Sequence, residues 1–300
     1  MYHLATAFPV ARRVRLPLSR DQVMLLLVAS TELGLAVETF LAHQISGTIV
    51  PNEWISIIFG VVAGVVLLVA GAISLRNRPL ATLIATVVLT ASIGVGLLGA
   101  FFHFRRAALL DAPAGAQVSI NLFVWAPPIL GPLTYAMAGL LGLSAAAVED
   151  PPDSGRVLLP VLKSVQLPLS KTRAYFLIVG LGALATLISS VLDHARTNFS
   201  NTWLWVPIAV GTFGVVIAVL MGAVARPTRG ELLIYIVAML LLILVGVLGM
   251  VLHVLNDLTP EGVIVVERFI RGAPFLAPML YTLMGTYGLA VLLDPNEPRG

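Results

Sequence analysis

Four histidines are placed to act as ligands: His43, His103, His194 and His253. Two of them carry the same surroundings. Gly96-Leu97-Leu98-Gly99-Ala100-Phe101-Phe102-His103 is written again as Gly246-Val247-Leu248-Gly249-Met250-Val251-Leu252-His253, with both glycines and the histidine kept. On a helix, positions four and seven before a residue lie within about 40° of it, from the ~100° step per residue. Each of these histidines therefore has a strip without side chains beneath it, which admits a neighbouring helix closely or one face of a flat ligand. Neutral imidazole binds late transition metals and haem iron. The set predicts a site for haem b or a transition-metal ion in a redox role. His43 and His103 would serve one half of the chain and His194 and His253 the other, with Gly96, Gly99, Gly246 and Gly249 receiving a porphyrin face. A histidine at a helix end also serves as a plain interfacial residue bonded to a loop carbonyl, and that alternative stays open.

Neighbouring residues extend the constellation. Thr39 and Ser190 stand one turn before His43 and His194, so a hydroxyl beneath each ring is positioned to orient it; such hydroxyls also bond back to their own helix. Arg105 and Arg106 follow His103, and Arg268 and Arg271 occupy the matching stretch of the second half. With haem bound they would pair with propionates, and otherwise with lipid headgroups. Asp193, Asn256 and Asp257 are placed to hold imidazole N–H groups or to face water. Glu32 stands about ten residues into an apolar run, where a bare carboxylate costs several kcal/mol and taking up a proton relieves the cost. It shares a helix face with His43, about 16 Å away along the axis. That placement predicts a proton relay or a cation ligand; a protonated side chain bonded to the next helix is the plain alternative. Ala183 takes its place in the second half.

The elements that must hold these side chains are apolar. The chain has 300 residues, 58% hydrophobic and 11% charged, with a mean hydropathy of +0.98, against about 25% charged in a soluble domain. Runs of about 20 or more residues, long enough to cross ~30 Å of hydrocarbon, lie near 22–43, 54–75, 80–104, 122–147, 173–194, 204–225, 231–255 and 273–293. The expected fold is an all-α polytopic membrane protein of eight transmembrane helices. Its parts are an N-terminal segment (1–20), a first four-helix repeat (21–147), a linker (148–170), a second repeat (171–294) and a tail (295–300). Ser19 with Gln22 predicts a capping box opening the first helix.

The halves read as copies. Leu16-Pro17-Leu18-Ser19 matches Leu167-Pro168-Leu169-Ser170, His43 matches His194 and Trp54 matches Trp205, at a shift of 151. Pro128, Pro132, Tyr135, Gly139 and Gly142 match Pro274, Pro278, Tyr281, Gly285 and Gly288 at a shift of 146. Four helices are an even number, so both copies run the same way through the membrane, related by a pseudo-two-fold axis along its normal. The proline pairs at the start of the fourth and eighth spans predict kinks beside the histidine layer. Of the 18 Lys and Arg residues, Arg105, Arg106, Arg196, Arg268 and Arg271 fall in one set of loops and the rest on the other side. The positive-inside rule then puts both termini in the cytoplasm and the four histidines near the outer face. Trp54, Trp203 and Trp205 sit at the outer interface in that orientation.

Several classes are excluded or unmarked. Without cysteine there are no disulfides, thiolate zinc sites or Cys-ligated iron–sulfur clusters. The net charge of +3 is dispersed over short loops and predicts no nucleic-acid surface; the expected partner is the lipid bilayer. No removable signal peptide is expected, because the N-terminus lacks a short apolar core with a small-residue cleavage site. There is no Walker loop, no His-Glu-x-x-His and no Gly-x-Ser-x-Gly.

Twin four-helix halves, each with histidines near one face of alternate helices, resemble heme A synthase. The resemblance implies haem binding. In that family the histidines sit in the even-numbered spans, often followed by Arg; here they end the odd-numbered ones and are followed by Gln44, Phe104, Ala195 and Val254, so no catalytic residue is carried over. Three readings stand open: a haem- or metal-binding redox protein, a transporter or channel for a small solute or ion using Glu32, and a structural or assembly subunit of a membrane complex. Whether the chain is an enzyme is left open by its residues.

Overall fold

Each long helix begins where a capping side chain meets an apolar run. In α2 (Arg20–Gln44) the Ser19 hydroxyl accepts from the Gln22 amide and the Gln22 side chain accepts from the Ser19 amide at 2.8 Å, the reciprocal box its sequence predicts. α3 (Pro51–Ser74) starts with proline in its first turn, where the missing N–H is no loss. α4 (Arg78–Ala107) is capped by Asn77, α7 (Lys171–Ala195) by Ser170, and α9 (Arg229–Asp257) by Thr228 paired with Glu231. α8 (Trp205–Ala223) follows a single 3-10 turn, Thr202–Leu204. These six helices are long and apolar enough to cross a membrane. They belong to a computed structural model that describes residues 4–10, 17–45, 47–158 and 164–295. His3, Arg12, Arg13, Arg15, Lys163 and Arg299, and with them part of the charge argument, lie outside the described residues.

The fourth and eighth expected spans differ from single helices. The run 122–147 is divided into α5 (Ile120–Trp125) and α6 (Leu133–Ala146), and the run at 273–293 holds only α11 (Met279–Ala290), preceded by α10 (Val266–Arg271). Pro132 and Pro278 sit at the N-caps of α6 and α11. A proline there begins a helix without loss, but it cannot donate back into a preceding turn, so the chain breaks instead of bending. Six long helices and two broken runs replace the eight uniform ones.

Packing closes each half on itself. α2 packs on α3, α3 on α4, α4 on α6 and α6 back on α2; α7, α8, α9 and α11 repeat that circuit. The halves meet along two seams, α6 on α7 and α11 on α2. A short helix, α1 (Leu4–Ala7), lies against α9. The outward faces are apolar, with Val61, Val65, Leu83, Val87 and Leu244 exposed. Polar side chains such as Glu32, Thr31, Ser92 and Thr186 are buried. That inversion of a soluble protein's pattern marks a protein folded in lipid. The stretch between the halves carries a small antiparallel sheet in the order β1 (Val148–Glu149), β2 (Arg156–Leu158), β3 (Val165–Gln166), which the composition of the linker does not foretell.

Candidate functional site

His43 ends α2 and His103 ends α4, on opposite sides of the first circuit, and their rings meet across it. The ring centres are 6.1 Å apart with planes inclined at 69°. His43 Nδ1 lies 2.8 Å from the Thr39 carbonyl and His103 Nδ1 lies 2.9 Å from the Pro128 carbonyl. A carbonyl can only accept, so each neutral ring carries its hydrogen on Nδ1. Pro128 lies in the break between α5 and α6, where its carbonyl accepts from the Gly131 amide at 3.3 Å and still meets His103; the broken helix thus supplies the group that orients His103. In the second circuit His253 Nδ1 meets the Pro274 carbonyl at 3.1 Å, again in the break before the last helix. His194 Nδ1 lies 3.5 Å from the Ser190 hydroxyl. The structure therefore brings the His43 and His103 rings together.

The glycine strips are used for helix contact. A side chain at Gly96 would strike the Ala136 amide and the Pro132 carbonyl, and one at Gly99 would lie 2.7 Å from Pro132 Cβ. Gly246 and Gly249 receive α11 through Pro278 in the same way. Of the two uses that bare strips permit, close approach of a helix is the one seen at these four glycines.

The other residues singled out by sequence are distributed as follows. Asp257 is buried and accepts from the Ala273 amide at 2.9 Å, so it pins the loop before α11 and not an imidazole. Asp193 pairs with Arg196 at 3.4 Å, and Arg196 also donates to the Val124 carbonyl at 2.7 Å. Arg106 reaches Glu53 at 4.0 Å, Arg271 pairs with Glu267, and Arg268 donates to the Asn256 carbonyl at 3.3 Å. Among the described residues no group of three or more His, Asp or Glu side chains converges as metal ligands.

Glu32 is fully buried inside the first circuit. Its Oε1 receives the Ser92 hydroxyl at 2.5 Å, and the same hydroxyl lies 2.8 Å from the Tyr135 carbonyl. Ser92 has one hydrogen and two acceptors, so both contacts are made together only when the carboxyl brings a hydrogen of its own. Oε2 has no partner among the described residues. Beside it, Thr31 and Tyr287 share a 2.7 Å hydrogen bond that ties α2 to α11.

A polar cluster at the opposite end of α2 escaped the sequence reading. Arg20 and Lys171, the first residues of α2 and α7, are 2% and 3% exposed. The Asp21 carboxylate takes Lys171 Nζ at 2.6 Å, Tyr175 Oη at 3.0 Å and Arg20 Nε at 3.3 Å. Arg20 donates to Thr172 Oγ1, which in turn donates to Asp153 at 2.7 Å. Lys171 Nζ also donates to the Ala147 carbonyl at 2.6 Å. The signal was present: each cation directly follows a matched Leu-Pro-Leu-Ser, at the 151-residue shift. Comparison of the chain with known family models, with curated proteins and with solved structures finds no match.

Proposed function

We propose that this membrane protein binds a redox-active transition-metal ion between the paired histidines of each half, as a bare ion or as the iron of haem b. The observation that carries the reading is the first pair. Two rings, each with Nδ1 held against a backbone carbonyl, stand across one circuit with centres 6.1 Å apart. Two imidazoles bound at ~2.0–2.1 Å on opposite sides of one ion have ring centres about 6 Å apart. The prolines seated on Gly96, Gly99, Gly246 and Gly249 favour the bare ion over haem. Bound there, copper or iron would supply one-electron chemistry close to one membrane face.

In this reading the divided runs, α5 with α6 and α10 with α11, complete eight crossings. The two circuits are like-oriented repeats about an axis along the membrane normal, which the repeated glycine–proline and histidine–carbonyl contacts support. The distribution of Lys and Arg supports cytoplasmic termini and histidines near the outer face.

The test is elemental analysis with optical and paramagnetic spectra of protein from cells supplied with copper, iron and haem. We expect about two ions per chain, halved by His103→Ala or His253→Ala and abolished by both, as loss of a ligand to each ion requires. Colourless, metal-free protein from those cells overturns the proposal. A second reading, transport of a proton or cation through the first half, is favoured by the unpartnered Oε2 of buried Glu32.

A further inference from the structure

The first circuit is hollow at the end away from its histidines. A cavity of about 740 Å³ runs between α2, α3, α4 and α6 below Ala29, one turn from Glu32. Protein interiors are close-packed, and a space of this size lies in the ~300–1,000 Å³ range of small-molecule sites. The second half shows how the chain fills the same place. At the established shifts, Leu25 corresponds to Phe176, Ala85 to Tyr235, Ala70 to Met221, and Ala145 and Ala146 to Val291 and Leu292. Phe176 and Tyr235 are fully buried and stack edge to face with ring centres 4.8 Å apart; Val291 and Leu292 are fully buried too. Gln22 corresponds to Arg173, whose guanidinium closes the second mouth on the Gly222 and Ala223 carbonyls at 2.8 and 2.9 Å. At each of these paired positions the hollow half carries the smaller side chain.

We infer that the cavity between α2, α3, α4 and α6 is a binding site for a bilayer phospholipid, one acyl chain inside and a zwitterionic headgroup at the mouth. The floor is apolar, formed by Leu25, Ala29, Leu67 and Ala85. Leu26 and Leu68 belong to the lining and are 44% and 42% exposed, so the cavity reaches the surface that meets hydrocarbon. The mouth is polar and of both signs, with Arg78 suited to a phosphate and Asp150 to an ammonium. Gln22, whose side-chain oxygen already accepts from the Ser19 amide, adds its amide N–H groups, and Thr82 adds a hydroxyl. Opposite charges at one rim suit a headgroup carrying both better than a singly charged one. The inference is independent of the metal reading.

The experiment uses the full chain in lipid nanodiscs with a photoactivatable phosphatidylethanolamine carrying a diazirine at the end of one acyl chain. Labelling is expected in the peptides containing Leu25 and Ala85. Leu25→Phe with Ala85→Tyr, which installs the pair already used in the second half, is expected to cut that labelling on the order of tenfold by occupying the volume. Labelling around Val61 and Val65 on the outer face should be unchanged. Should the double variant fail to fold, Ala70→Met, the residue found at 221, carries the same expectation alone. Cavity peptides labelled no more than the outer face, or labelling indifferent to the filling substitutions, overturn the inference. Equal labelling by an anionic phosphatidylglycerol probe overturns the headgroup assignment. Labelling by a lysophosphatidylethanolamine probe added from solution, but not by the bilayer lipid, overturns the source.

Discussion

Glu32 shows what one side chain does in a membrane interior when half of its hydrogen-bonding capacity is left over. Glutamine at this position keeps a hydrogen to donate to Ser92 through its amide nitrogen, so Glu32→Gln is expected to alter thermal stability in detergent by less than about 1 kcal/mol. The same change removes a buried carboxyl able to shed and regain a proton there. If the first half carries protons or cations, flux into proteoliposomes is expected to fall sharply, and a flux with unaltered magnitude and pH profile excludes the relay. A carboxylate inside an apolar run is conspicuous, so this residue was legible in the sequence. Arg20 and Lys171 were not: a cation at the end of an apolar run is ordinary, and only its burial beneath the other half sets it apart. Asp257 misled for the opposite reason, because proximity in sequence to His253 hid its bond to the Ala273 amide.

At the scale of the helix, the contact of α4 with α6 rests on the absence of a Cβ at particular steps. A methyl at Gly96 would meet backbone atoms, with the Pro132 carbonyl at 3.0 Å, whereas Gly94 on the same helix has nothing within 4 Å. Gly96→Ala is therefore expected to destabilise by about 1–3 kcal/mol through displacement of α6. Gly94→Ala is expected to be neutral or stabilising by up to about 1 kcal/mol. Thermal melts of the two variants check the pair of expectations. The six long helices and the Ser19–Gln22 cap were legible because run length and capping residues are local properties. The breaks at 126–132 and 272–278 were less so, since hydropathy continues across them while the backbone loses its donors at proline. The strands between the halves, two or three residues each, are too short to show a period.

Taken as a whole, the molecule is two similar circuits held at their seam by charge. Among the described residues Asp21 is the one anion in contact with both buried cations there, and its replacement leaves Arg20 and Lys171 facing each other out of water. Asp21→Asn is expected to cost about 3 kcal/mol, read as a lowered denaturation midpoint, while Asp153→Asn, on the exposed side of the cluster, costs less. The circuits differ in filling: aromatic packing in the second, open space and a carboxyl in the first. That difference was written in the paired positions 25 and 176, 85 and 235, but only the surrounding helices reveal that the smaller residues leave a void. On the proposed reading of the circuits as copies, the reciprocal seams, α6 on α7 and α11 on α2, carry a historical implication. A peptide made of one half alone presents both edges of such a seam and satisfies neither, so two copies would complete one another. Residues 148–170 turn that encounter into a tether, with an effective concentration of about millimolar. Tethered partners would no longer need to stay identical, and on that reading Glu32 in one register with Ala183 in the other follows from the freedom.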